Sequence, residues 1–156
     1  MSIDVAALAA GMTQTVPFVG TVGVTFLDVA LDGSSGVRAV LALPDEHRLH
    51  NHVGGAHAGA IFTLGETASG AVVLAAFGDQ LSRATPLAVR AEIAYRKLAM
   101  GEVRATARLG RPVAEVVAEL DAGRRPEFEV TVEIATVDGT VTAEMGVLWT
   151  LRPNRV

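Results

Sequence analysis

Apolar positions along the chain alternate between two periods, and the switches between them mark the elements. Residues 1–11 carry Ile3, Ala6, Ala7, Leu8 and Ala10 at helical spacing, which predicts a short amphipathic helix capped by Ser2 and ended by Gly11. Residues 19–32 are rich in Val, Thr, Phe and Leu and predict a strand. The cluster Asp32-Gly33-Ser34-Ser35-Gly36 turns the chain, and the alternating stretch 37–43 predicts the second strand of a hairpin that Pro44 ends. Residues 45–55 are polar and irregular. Residues 58–77 then form a long run almost free of charge, which predicts a helix.

Strand spacing returns after that run. Over residues 87–98, Val89, Ala91, Ile93 and Tyr95 share one face, and Arg90, Glu92 and Arg96 the other. Residues 102–109 predict the next strand, broken by Gly110-Arg111-Pro112. Residues 113–120 fit either period; their neighbours favour a strand. Residues 128–137 and 140–151 predict a hairpin about Asp138-Gly139. One central helix among antiparallel strands is an α+β pattern, with the sheet curling around the helix.

Composition narrows the class. The 156 residues suffice for one domain, 1–156, with no linker or repeat. Half the residues are hydrophobic and 19% are charged, so the chain can bury a core. No stretch runs 18 apolar residues unbroken, which argues against a membrane span. Residues 1–12 carry Asp4 and no Lys or Arg, unlike a secretory signal. The absence of cysteine removes disulfides and thiolate chemistry and fits a cytoplasmic location. A net charge of −4 offers no footprint for nucleic acid.

One residue breaks the pattern. Glu66 is a lone acid in an apolar helix. On a helical wheel Gly59, Phe62, Thr63, Gly70, Val73 and Phe77 share its face. A buried unpaired carboxylate is costly, so it persists where it is paired or useful. Gly59 and Gly70 leave room beside it, and a pocket next to a carboxylate is a candidate site. A salt bridge to a strand arginine is the simpler alternative.

The histidines, His47, His50, His52 and His57, all lie just before this helix. His50 and His52 with Asp45, Glu46 or Glu66 could bind a metal, but the spacing matches no metal motif, and no metal is assigned. Asn51, Gly54, Gly55, His57 and Gly59 form a more specific set. The amides of Ala58, Gly59 and Ala60 open the helix and can polarise a carbonyl. Such donors together with a carboxylate suit acyl transfer.

The run Asn51-His52-Val53-Gly54-Gly55-Ala56-His57-Ala58-Gly59-Ala60-Ile61-Phe62-Thr63-Leu64-Gly65-Glu66 resembles the signature of hotdog-fold acyl-CoA thioesterases of the phenylacetate-pathway type. Ile93-Ala94-Tyr95-Arg96-Lys97-Leu98-Ala99 resembles the family's strand after the central helix. The resemblance implies a hotdog fold: an antiparallel sheet of five to six strands wrapped around one long helix. It implies hydrolysis of an acyl-CoA or other acyl thioester without a cofactor, with Glu66 as general base or nucleophile. The Ala58 and Gly59 amides would polarise the carbonyl, Asn51 would orient water or the carbonyl, and His57 would support the loop. Gly54, Gly55, Phe62 and Thr63 would line the substrate site, and Arg83, Arg90, Arg96 and Lys97 are candidate cations for CoA phosphates near it in sequence. It also implies sites built between protomers of a homodimer or a dimer of dimers. The family often has Asp at Glu66, Gly at Ala58, and Ser or Thr at Ala88; Thr85 or Ser82 would substitute for the last if the loop shifts. The alternative is a non-catalytic acyl-thioester binding or regulatory protein on the same fold.

Overall fold

A computed structural model of the chain describes residues 3–33 and 36–155. The elements are α1 (Val5–Thr15), α2 (Pro17–Val22), β1 (Thr25–Asp32), β2 (Gly36–Leu43), α3 (Ala58–Phe77), β3 (Ala84–Tyr95), β4 (Val103–Leu109), α4 (Val113–Asp121), β5 (Glu127–Thr136) and β6 (Val141–Pro153). The strands form one antiparallel sheet in the order β1-β2-β4-β5-β6-β3. This is the expected α+β hotdog architecture, with α3 as the central helix.

The alternation in β5 shows why the sheet has an inside. Phe128, Val130, Val132 and Ile134 are buried, while the residues between them face outward. Helix α3 packs on β2, β4 and β5, and Leu64, Ala68, Ala71 and Val72 are fully enclosed. Gly65 lets the helix come close: a Cβ there would lie 2.6 Å from the Met145 sulfur and 3.2 Å from Ile134 Cδ1. An 18-residue window within Ala58–Gln80 reaches a mean hydropathy of 1.6, enough by length and composition to cross a bilayer. Here its apolar residues meet the sheet, which is the environment of a core helix.

Several boundaries differ from expectation. Helix α1 is capped by Asp4, whose carboxylate accepts from the Ala7 amide at 3.0 Å, and it continues through Gly11. The expected cap Ser2 lies outside the described residues, as do Ser34 and Ser35 of the first turn. The start of the expected first strand is helical instead. Pro17 at the first helical position opens α2, and Gly23, with φ +81°, closes it.

Residues 113–120 form α4 rather than a strand. Val113, Val116, Val117 and Leu120 follow the helical i, i+3, i+4, i+7 spacing; Val116 and Leu120 are buried, and the other two pack beside them. Strand β3 starts three residues before the expected position and admits Pro86 because it is a sheet edge. Its pairing with β6 slips between Ala88 and Arg90, so Val89 is extra and exposed, apart from Ala91 and Ile93, which pack on the core.

Candidate active site

The loop that delivers α3 is organised by one side chain. Asn51 Oδ1 accepts from the amides of Val53 (3.0 Å) and Gly55 (3.2 Å), and Nδ2 donates to the Ala56 carbonyl at 3.3 Å. Gly54 takes φ +82°, which the turn requires of a glycine. Gly55 is buried, and a Cβ on it would meet the Ala99 carbonyl oxygen at 2.7 Å. These residues therefore hold the loop against the Ala99 turn.

His57 is the N-cap of α3. Its Nδ1 accepts from the Gly59 amide at 2.9 Å, so that nitrogen carries no proton. Of the three amides that open the helix, Gly59's is thus engaged. Those of Ala58 and Ala60 have no partner among the described residues. The Tyr95 hydroxyl donates to the Ala58 carbonyl at 2.8 Å and ties the end of β3 to the start of α3. Sequence reading placed Tyr95 on a strand face and missed this tie, which only the fold creates.

Glu66 stands two turns further on. Its carboxylate has no ion-pair or hydrogen-bond partner among the described residues, and burial pushes its pKa above the usual carboxylate range. The simpler alternative, a salt bridge to a strand arginine, is not what the structure shows. The carboxylate borders a partly enclosed chamber of about 210 Å³. Thr67, Gly70, Val73 and Leu74 continue the wall along α3, Met12, Thr15, Val16 and Val19 close it from the α1–α2 segment, and Trp149 and Pro86 complete it.

The chamber depends on small and fixed side chains. Gly70 opens space: a Cβ there would rest 3.5 Å from Met12 Cε and 3.9 Å from the Trp149 ring. Gly59, expected to leave room on the same face, instead lies against the His57 ring at the helix start. The Trp149 indole N–H donates to Ser69 Oγ at 3.0 Å, and the Ser69 hydroxyl donates to the Glu66 carbonyl at 2.7 Å. This chain of bonds fixes the indole over the chamber. Nothing in the local sequence pairs Ser69 with a residue 80 positions away. Of the three residues beyond Glu66 on its face, Gly70 and Val73 line the chamber. Phe77 packs on Phe128 in the core, with ring centroids 4.9 Å apart.

The remaining expected site residues are dispersed. Phe62 packs on the core, and the Thr63 hydroxyl donates back to the Gly59 carbonyl at 2.9 Å. Arg83 pairs with Asp121 (2.6 Å) and Arg96 with Glu144 (3.2 Å). Arg90 is exposed on the β3 edge without an ion pair among the described residues. Thr85 donates to Asn154 at 2.7 Å, and Ala88 is exposed. His50 meets Asp45 at 2.6 Å, and no group of three or more metal-ligating side chains occurs among the described residues. A larger hollow of about 870 Å³ lies on the outer sheet face, lined by Arg96, Arg108, Glu92, Glu129, Glu133 and Glu144. It is open and charged. The chamber beside Glu66 is the one whose walls suit an apolar group next to a carboxylate.

Comparison with known proteins agrees with this architecture. Residues 5–151 match the model of a family described as a domain of unknown function, DUF4442. The chain resembles a solved Pseudomonas aeruginosa protein of unknown function described as a probable thioesterase, with 26% identity, a TM-score of 0.82 and coverage of 99% of each chain. A Silicibacter pomeroyi thioesterase family protein shares the fold at 20% identity and a TM-score of 0.72, over 96% of this chain and 98% of that one. So does a mutant of a Pseudomonas aeruginosa thioesterase, at 18% identity and a TM-score of 0.75, over 99% and 97%. No curated protein matches the chain in sequence. With a family match across almost its whole length and a hotdog fold shared with thioesterase-named structures, the chain belongs to the DUF4442 family and is a thioesterase-like hotdog protein.

Proposed function

We propose that this protein hydrolyses acyl thioesters, with acyl-CoA as the leading substrate class and Glu66 as general base or nucleophile. The observation that carries this reading is the unpaired Glu66 carboxylate at the wall of an apolar chamber. Such a group costs stability, and no partner among the described residues offsets the cost. As a general base it takes a proton from water while the water oxygen attacks the thioester carbonyl. The tetrahedral intermediate collapses, the C–S bond breaks, and the thiolate receives the proton. The products are a carboxylic acid and a thiol, and no cofactor enters the balance.

The carbonyl needs donors, and the open amides of Ala58 and Ala60 are suited to the task. At a rise of about 1.5 Å per residue, Ala58 lies roughly 12 Å along the axis from Glu66. One thioester carbonyl cannot span that gap. The complete site therefore combines Glu66 of one protomer with the helix start of a second. The edge strand β3, with Val89 and Tyr95 exposed, supplies a free surface for such pairing. Asn51 and His57 then act by holding the helix start in place, and Gly54 and Gly55 by shaping its loop. A homodimer or dimer of dimers, working in the cytoplasm without nucleic acid or membrane partners, fits this reading.

The test is turnover of wild type and Glu66→Gln against a panel of acyl-CoAs. Wild type should hydrolyse some member, and Glu66→Gln should lose at least about a hundredfold in kcat. Equal rates in the two proteins would refute the assigned role. Saturable acyl-CoA binding with no turnover in wild type would instead establish the binding-protein alternative.

A further inference from the structure

We infer that the chamber beside Glu66 is the acyl pocket and that α1 and α2 close it as an end wall, so the protein selects apolar acyl groups of about six or seven heavy atoms. The inference rests on the thioesterase reading and adds the substrate class. Three observations carry it. The walls are apolar: Met12, Val16, Val19, Val73, Leu74 and Trp149. The polar lining residues are Glu66 and Thr67 on α3 and Thr15 on α1; the Thr15 hydroxyl is taken up by the Gly11 carbonyl at 2.8 Å, so an acyl chain lying here has its thioester end at the Glu66 carboxylate. The chamber holds about 210 Å³, room for about seven atoms at the roughly 30 Å³ that a water-sized group occupies in a liquid.

What limits the length is also defined. Met12 is buried, and its terminal methyl lies 3.5 Å from where a side chain on Gly70 would begin. Trp149 forms the facing wall and cannot swing away without losing its bond to Ser69. Met12 and Gly70 therefore act as the gauge. Met12 is supplied by the N-terminal helix, which the sequence pattern ended at Gly11, one residue before it. A branched or aromatic acyl group of similar volume meets the same walls, whereas a long chain would have to displace α1.

Trp149 is the single tryptophan of the chain and lines the chamber, so its fluorescence reports occupancy independently of turnover. The experiment titrates hexanoyl-CoA, dodecanoyl-CoA and free CoA into Glu66→Gln, following this emission. It also measures kcat/KM on acetyl- to hexadecanoyl-CoA for wild type, Gly70→Ala and Met12→Ala. Hexanoyl-CoA should change the emission saturably and CoA should not. Turnover should peak near hexanoyl and fall at least tenfold by dodecanoyl. Gly70→Ala, whose added methyl makes only ordinary contacts at 3.5 and 3.9 Å and so leaves the fold intact, should move the optimum to shorter chains. Met12→Ala should move it to longer ones. A length profile that neither variant shifts, with Glu66→Gln still inactive, would overturn the acyl-pocket inference and leave the thioesterase reading standing. If no acyl-CoA is turned over, the activity fails, and the emission titration alone decides the pocket: no saturable change with hexanoyl-CoA sinks it.

Discussion

Gly55→Ala tests whether the loop before α3 is held by close packing. The new Cβ would sit 2.7 Å from the Ala99 carbonyl oxygen and 3.0 Å from the Met100 sulfur, where ordinary contact begins at 3.4 Å. The methionine sulfur can yield, but the carbonyl is backbone. That carbonyl also accepts from the Ala56 amide at 2.8 Å, so the clash strains a bond inside the same loop. Overpacking of this kind costs about 1–3 kcal/mol, and a weakened hydrogen bond adds about 1. The sum, about 2–4 kcal/mol, corresponds to a fall in Tm of roughly 5–15 °C for a domain of this size. Calorimetric melts of wild type and Gly55→Ala measure it. Gly11→Ala is the control: a Cβ there meets nothing within 4 Å, and helix propensity alone should stabilise α1 by about 0.5–1 kcal/mol. A Gly55→Ala protein melting within about 2 °C of wild type would refute the packing argument and, with it, the claim that Gly55 serves the site by fixing the loop.

Ser69→Ala should leave the buried Trp149 indole N–H unpaired and cost about 1–3 kcal/mol, read from urea unfolding; an unchanged midpoint would mean the bond does not hold the ring. Glu66 links function to pH. Its pKa is raised in the folded chain, so the folded state binds the proton more tightly than the unfolded one, and wild type gains stability as pH falls through that raised value. Glu66→Gln should therefore be the more stable protein at neutral pH, with the gap closing as the medium is acidified. Melts of both proteins across pH measure the gap, and a widening on acidification would contradict the assignment. Hydrolysis by wild type should fall over the same window, because the base must be ionised; a rate that stays flat through it would count against Glu66 as base.

Much of this protein is decided by local pattern. The length of α3 and the hairpin at Asp138-Gly139 follow from short-range spacing and turn chemistry. The helical period of residues 113–120 was present too; it was outweighed by neighbouring strands, although Val116 and Leu120 stand where a helix buries them. Glu66 was legible for a simple reason: an acid inside an apolar helix is a cost that the sequence itself displays. The space that Gly70 leaves along the same helix face was legible as well; what crosses the helix there was not. Whether a carboxylate finds an arginine or a cavity depends on which elements cross its helix, and those contacts join residues far apart in the chain. Met12 reaches the chamber because α1 and α2 fold back over α3, and Trp149 because β6 lies beneath Ser69. Sequence determined that Glu66 was anomalous and that Gly70 left room beside it; only the tertiary structure enclosed that room as an apolar chamber and gave the carboxylate no partner among the described residues, because a void is a property of packing between elements and not of any one of them.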